Sequence, residues 1–98
     1  MNELFELAIL NFNKNKIKDA EKICIKILNK DFNNYKTLNL YGIILLNQKR
    51  IIEAKKKFEK AIEIKPNYAT AYFNLGNLFN LSGKYYEAIN IYKKTLNF

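Results

Sequence analysis

The chain has 98 residues, of which 49% are hydrophobic, and it carries a formal net charge of +8 with one cysteine and no histidine. This length suits one compact domain with its own core, which excludes two full domains and extensive disorder. A single thiol cannot form an internal disulfide, and no apolar run approaches the length of a membrane span. Because small secreted domains usually carry several cysteines and the N-terminus lacks the pattern of a signal peptide, we expect a cytoplasmic protein with no membrane partner.

The hydrophobic periodicity predicts six amphipathic helices that follow one another in three pairs. In chain order, the predicted pairs are 2–14 with 17–30, 35–48 with 51–64, and 69–82 with 85–97. In the turns inside the pairs, Asn15 and Gly83 tolerate a left-handed helix end, whereas Lys49 does so poorly. We therefore expect the turn of the second pair to differ in shape. Between pairs, Pro66 ends one helix and Asn67 can cap the next.

Small residues recur at intervals of 34 along the whole chain, which indicates an internal repeat. The eighth and twentieth positions of the repeats hold Ala8, Gly42 and Gly76, and Ala20, Ala54 and Ala88. Bulky positions keep the same spacing, as in Cys24, Phe58 and Tyr92. Two helices approach closely only where a side chain is small, so we expect the eighth and twentieth positions of a repeat to face each other. The repeats then run over about 1–34, 35–68 and 69–98.

The third repeat carries the strongest family resemblance. Its residues Ala71 to Asn77, Gly83 to Ala88 and Tyr92 resemble the tetratricopeptide consensus. The second repeat matches the consensus at Gly42, Ala54, Phe58, Ala61 and Pro66. The resemblance implies an all-α fold, a right-handed superhelical stack of antiparallel helix pairs (an α-solenoid), as a single domain over 1–98. It also implies that the first helix of each pair lines a concave groove and that the second helices form the convex wall.

The last predicted helix reaches Phe98 without the polar capping helix that such stacks normally carry. Two interpretations follow. Either the chain is the N-terminal part of a longer stack or protein, or its C-terminal face is covered by self-association. We favour the first, because terminal repeats without a polar face lower solubility.

The predicted groove is close to neutral, because the lysines concentrate on the second helices. The segment 69–82 has no charged residue, and 35–48 has only Lys36. Asparagine amides both donate and accept hydrogen bonds, so they suit the backbone of an extended peptide, and phenylalanines can anchor apolar side chains. The predicted groove residues are Phe5, Ile9, Phe12, Asn13, Asn39, Ile43, Leu46, Asn47, Phe73, Asn74, Asn77 and Asn80.

For any single asparagine of the groove, an alternative interpretation carries almost equal weight. Asparagine is common throughout this sequence, and the aromatic residues can contact neighbouring helices instead of a ligand. Asn74 and Asn77 are the better candidates, because both match groove positions of the family that the third repeat resembles.

The sequence favours neither catalysis nor a cofactor or metal site. Without histidine, the usual proton carrier at neutral pH is missing, and the three glycines are scattered and form no phosphate loop. Cys24 lies among isoleucines, which is typical of a small buried hydrophobic residue. Chaperone-binding members of the family hold acidic C-termini with cationic residues, and the matching positions here include Phe5, Ile9, Thr70 and Phe73. We therefore do not expect capture of an acidic C-terminus.

Three functions remain open. The leading one is a scaffold that binds a protein or an extended peptide in the groove, with no small-molecule substrate. The second is a structural or oligomerisation segment attached to a catalytic domain such as a glycosyltransferase, which more sequence beyond Phe98 would reveal. The third is an RNA-associated module that uses the lysine-rich convex face. Nucleic acid is not favoured, because the groove lacks cations among its aromatic residues.

Overall fold

The computed structural model describes residues 3–98, and this part of the chain contains helices and no strand. The helices are α1 (Glu3–Asn13), α2 (Ile17–Lys30), α3 (Tyr35–Asn47), α4 (Ile51–Ile64), α5 (Ala69–Leu81), α6 (Tyr85–Lys94) and the short 3₁₀ helix η1 (Thr95–Asn97). These bounds confirm the predicted helices to within one residue, except that the last one becomes a 3₁₀ turn after Lys94. Asn2, placed in the first predicted helix, lies outside the described residues.

The helices form three stacked pairs. Within pairs, α1 packs on α2, α3 on α4 and α5 on α6, and the pairs stack through α2 against α3 and α4 against α5. α3 also contacts α1 and α5, so the first helices lie side by side. The largest fully buried side chains include Ile44, Leu45 and Phe58 of the middle pair. The predicted all-α stack of paired helices, an α-solenoid, is therefore confirmed.

In the second and third pairs, the close approach of the helices depends on a glycine beneath an aromatic ring. A Cβ added to Gly42 would overlap the ring of Phe58, and one added to Gly76 would overlap the ring of Tyr92. The ring that lies over the eighth position thus belongs to the residue sixteen positions later in the chain. The alanines at the twentieth position are buried nearby, as Ala54 shows.

The three turns inside the pairs share one backbone conformation. Asn15, Lys49 and Gly83 all have positive φ, at 64°, 62° and 77°. In each turn the next amide donates back five residues, as from Arg50 to the carbonyl oxygen of Leu45 at 2.9 Å. The expected difference in the second turn is wrong, because the spacing of the helices fixes the turn and overrides the preference of lysine.

The helix starts between pairs are capped differently. Asn34 precedes α3, and its side-chain oxygen accepts a hydrogen bond from the backbone N–H of Thr37 at 3.1 Å. Tyr68 holds the equivalent position before α5 and makes no side-chain cap. Asn67 lies one residue too early, so its predicted capping role is wrong. The Tyr68 ring packs instead edge-on against Tyr35, with ring centroids 4.9 Å apart.

A polar network joins the first and second pairs. The Glu21 carboxylate on α2 accepts hydrogen bonds from the Tyr41 hydroxyl (3.1 Å), the Gln48 amide (3.2 Å) and the Arg50 guanidinium (3.0 Å). Arg50 also forms a bidentate pair with Glu53. Burial alone would raise the pKa of Glu21, but the three donors together hold it below the usual value. Burial and the hydrogen bond to Glu21 raise the pKa of Tyr41 to about 12.

Candidate protein-binding surface

The first helices form one continuous surface, because α3 contacts both α1 and α5. Apolar side chains on it are half-buried, with one part packed against the core and one part in solvent. They are Phe5, Ile9, Phe12, Ile43 and Leu46. The alternative that the aromatic residues contact neighbouring helices therefore holds for part of each ring. The surface can still offer apolar contact area, since none of these side chains is fully buried.

The predicted amides divide into exposed and internally bonded groups. Asn13, Asn47 and Asn80 are exposed. Asn39, by contrast, is only 5% exposed, and its oxygen accepts a hydrogen bond from the Asn74 amide at 3.0 Å. Its predicted place among the ligand contacts is therefore corrected: Asn39 joins α3 to α5. Asn74 is itself partly exposed.

Asn77 also has an internal partner. Its side-chain oxygen accepts a hydrogen bond from the Tyr92 hydroxyl at 2.6 Å, which ties α5 to α6. Because Asn77 is only partly buried and its oxygen is occupied, the amide N–H groups are what it can offer to a ligand. Among the predicted asparagines, the three exposed ones, Asn13, Asn47 and Asn80, are therefore the better candidates for contact with a ligand.

Phe73 lies on α5 and also borders a cleft at the C-terminal face. It is 55% exposed and packs against the ring of Tyr92, with centroids 5.8 Å apart. Together with five residues of α6 and η1, it lines an apolar cleft of about 400 Å³ at the C-terminal face: Ile89, Tyr92, Lys93, Thr95 and Leu96. The depth of this cleft depends on side chains that the repeat pattern does not describe.

A second cleft lies on the lysine-rich side. Leu28 and Leu38 line it together with the exposed ring of Phe32, and Lys56, Lys57 and Lys60 complete it, with a volume of about 380 Å³. Two of the cations are already engaged, since Lys60 pairs with Glu63 at 3.2 Å and Lys57 lies over the Tyr41 ring.

Among the described residues, the cysteine is buried and the acidic side chains are scattered. Cys24 is fully buried, as expected for a small hydrophobic residue, and burial raises the pKa of its thiol to about 12. It therefore stays protonated at neutral pH. Residues 3–98 hold no cluster of three or more His, Cys, Asp or Glu side chains that could bind a metal ion. Over the same residues, no helix has both the length and the apolar character needed to span a bilayer.

The stacked antiparallel pairs, the 34-residue spacing and the glycine-under-ring contacts define a helical-repeat scaffold. A family model described as tetratricopeptide repeat matches residues 34–98. The chain belongs to the tetratricopeptide repeat family, whose repeats mediate contacts between proteins.

Solved structures share the fold at low sequence identity. A crystal structure of MamA superposes with a TM-score of 0.88 at 22% identity, over 96% of this chain and 55% of that one. The second tetratricopeptide domain of Spaghetti (RPAP3), bound to the HSP90 peptide SRMEEVD, superposes with a TM-score of 0.87 at 20% identity, over 96% and 87% of the two chains. At these identities the likeness shows the fold alone.

A curated relative is a much longer enzyme. The UDP-N-acetylglucosamine–peptide N-acetylglucosaminyltransferase of Caenorhabditis elegans is 31% identical over 88 residues, which is 90% of this chain and 8% of that protein. The chain thus spans a small part of this relative and about half of MamA.

Proposed function

We propose that the chain binds a segment of another protein, in extended form, along the surface of its first helices. The observation that carries this proposal is the combination of half-exposed apolar side chains with exposed amides on helices that lie side by side. Apolar contacts supply affinity, and amides pair with peptide backbone whatever the side chains of the ligand. α5 has no charged residue, so charge contributes little to recognition on that helix.

The exposed amides give the sharpest test. A peptide selected from a displayed library of random sequences serves as the probe, and calorimetry measures its affinity. The triple change Asn13→Ala, Asn47→Ala and Asn80→Ala should weaken binding about tenfold or more, equivalent to about 1.4 kcal/mol. Asn29→Ala with Asn90→Ala, two exposed amides on second helices, is the matched control and should leave affinity unchanged.

Binding to the acidic peptide SRMEEVD is a further check on the kind of ligand. The bound peptide in the RPAP3 structure carries that sequence. Because cations are missing at the positions of Phe5, Ile9 and Thr70, we expect no measurable binding of this peptide to our chain. Tight binding, weakened strongly by salt, would show that the ligand is recognised by charge instead.

A second candidate function is a structural segment attached to a catalytic domain. The similarity to the nematode transferase favours it, since there the matched region is 8% of a large enzyme. If the segment only spaces or orients a neighbouring domain, the triple amide variant should leave the activity and the interactions of the full-length protein unchanged.

A third candidate function is association with RNA, and the lysine-rich cleft is the surface that would bind it. Phosphate contacts from Lys56, Lys57 and Lys60 would make binding strongly dependent on salt. A pull-down with and without nuclease separates this candidate from the first, because only partners held through RNA would disappear after nuclease treatment.

A further inference from the structure

The lysine-rich cleft lies in the gap between the second helices of the first and second pairs. α2 and α4 both pack on α3, but no Cα atom of α2 lies within 8 Å of one of α4. Leu38, which is 5% exposed, and the half-buried Leu28 line the deep part of the cleft, and the exposed ring of Phe32 borders it. With a volume of about 380 Å³, the cleft can hold an apolar side chain of a ligand.

Three side chains at the edge of this cleft depart from the repeat. At the junction of the second and third pairs, Pro66, Asn90 and Ile91 stand at the positions that Phe32, Lys56 and Lys57 hold here. That junction still forms, with α4 packed against α5. Stacking of the pairs therefore requires neither the ring nor the two cations. The Phe32 ring is 72% exposed, so it adds little buried area to the fold, but it offers contact area to a ligand in the cleft.

The charge of the cleft has one sign. Its three cations come from α4, and no acidic side chain lines it: the cations are Lys56, Lys57 and Lys60. Lys56 makes no ion pair within residues 3–98. Lys60 pairs with Glu63, but both side chains are exposed, and exposed pairs of this kind contribute little to stability. Lys56 and Lys60 can therefore turn to the carboxylates of a ligand at little cost to the fold.

We propose that this cleft binds an acidic segment of a partner protein. An apolar side chain of the segment packs against Leu28, Leu38 and Phe32, and its carboxylates face the lysines of α4. The apolar anchor supplies affinity, because ion pairs in water are weak by themselves, and the opposite charges steer and orient the segment. The cleft shares no residue with the predicted groove, so this site is separate from the proposed surface of the first helices.

The lining of the cleft favours an acidic protein segment over RNA. Apart from the lysines, the side chains that line it are hydrocarbon, so they offer no hydrogen bond to the edge of a base. The cations lie within five residues of one helix, whereas affinity for RNA grows with the number of phosphates that are neutralised. A segment with carboxylates beside an apolar side chain matches both the charged and the apolar part of the cleft.

Fluorescence anisotropy with four labelled probes tests the proposal. The first probe is a peptide with a leucine–phenylalanine pair between runs of glutamate. The second has glutamine in place of glutamate, the third has serine in place of leucine and phenylalanine, and the fourth is oligouridine. The first should bind, more weakly as salt rises, and the other two peptides should bind at least about fivefold more weakly. No saturable binding of the first peptide, equal binding of the second or third, or tighter binding of oligouridine would overturn the proposal.

Two variants of the chain locate the bound peptide. Phe32→Ser should weaken binding of the first probe about tenfold, because it removes the aromatic edge of the cleft. Lys56→Gln with Lys60→Gln should weaken it about fivefold and reduce its dependence on salt. The changed side chains are exposed, so both variants should remain folded, which circular dichroism checks. Unchanged affinity in either variant would contradict binding in this cleft.

Matched controls separate the cleft from the general charge and apolar character of the surface. Lys22→Gln with Lys26→Gln removes two exposed lysines at the same repeat positions on α2, outside the cleft. Tyr86→Ser removes another exposed aromatic ring, on α6. Both controls should change the affinity for the first probe much less than the cleft variants do. Losses as large as those of the cleft variants would show that the peptide binds the surface without a defined site.

Discussion

The second and third repeats use the same contact in different surroundings. In both, a glycine lies under an aromatic ring, as Gly42 under Phe58 and Gly76 under Tyr92. Phe58 is fully buried, because α5 covers its repeat, whereas Tyr92 lines an open cleft and directs its hydroxyl to Asn77. The difference shows that a residue's contribution to stability depends on its place in the stack as well as on its place in the repeat.

The largest expected effect comes from removing the two rings. Phe58→Ala should lower the free energy of unfolding by about 3–5 kcal/mol, because it leaves a cavity in a closed core. Tyr92→Ala should cost clearly less, about 1–3 kcal/mol, because solvent already reaches its cleft. Urea denaturation of both variants measures the difference. Equal losses would contradict the account of a core centred on the middle repeat.

Adding a side chain under each ring tests whether the ring of the second repeat is held more tightly than that of the third. Gly42→Val should destabilise by about 1–3 kcal/mol, since the ring of Phe58 has no space to move. Gly76→Val should lie at the low end of that range, because the Tyr92 ring can shift toward the open cleft. A melting temperature that did not change in Gly42→Val would count against close packing of the helix pair.

The Glu21 network should make the junction of the first and second repeats sensitive to acid. At the next junction the counterparts of Glu21, Gln48 and Arg50 are Lys55, Ser82 and Lys84, which cannot form the same network. Glu21→Gln should cost about 1–2 kcal/mol at neutral pH, because it removes a charged acceptor of three hydrogen bonds. The corresponding exposed change, Glu59→Gln, is the control and should be nearly neutral.

The pH dependence has a defined sign. The folded-state pKa of Glu21 lies below its unfolded value near 4.5, so its contribution is fully present above that pH and is lost as the pH falls through the folded value. The difference in stability between the unchanged chain and Glu21→Gln should therefore shrink below about pH 4.5. Chemical denaturation at several pH values measures it. A difference that grew on acidification would show that the network does not hold the carboxylate in its charged form.

The smallest expected effect concerns the three turns. Lys49→Gly should stabilise the chain by about 1 kcal/mol, because glycine adopts the observed φ of 62° without a steric cost. Asn15→Gly should gain less, since asparagine already tolerates this conformation. Thermal melts of the two variants compare them directly. No gain in Lys49→Gly would mean that the lysine side chain makes a compensating contact.

The sequence predicted the features that repeat. The spacing of Ala8, Gly42 and Gly76 indicated three helix pairs, and the helix bounds followed from hydrophobic period and turn residues. Contacts that occur in only one repeat could not be predicted from the sequence. Glu21 and Arg50 are 29 positions apart and form a pair only because the α2, α3 and α4 ends converge. No periodic pattern describes such a contact.

The arrangement of the candidate binding surface was predicted only in part. The apolar residues of α1 and α3 lie on adjacent first helices, as the repeat implied. The sequence did not reveal that Asn39 is bonded to Asn74, because this bond depends on the offset between neighbouring helices. Phe73, assigned to the groove from its repeat position, also lines the C-terminal cleft, which the repeat pattern did not indicate.

Mapping a bound peptide by nuclear magnetic resonance tests the central claim most directly. A peptide selected from the displayed library is titrated into the isotope-labelled chain, and the amide shifts are followed residue by residue. We expect the largest changes on the first helices, around Ile9, Asn13, Ile43, Asn47 and Asn80. Changes confined to the second helices, around the lysines of α4, would contradict the claim that the first helices form the binding surface.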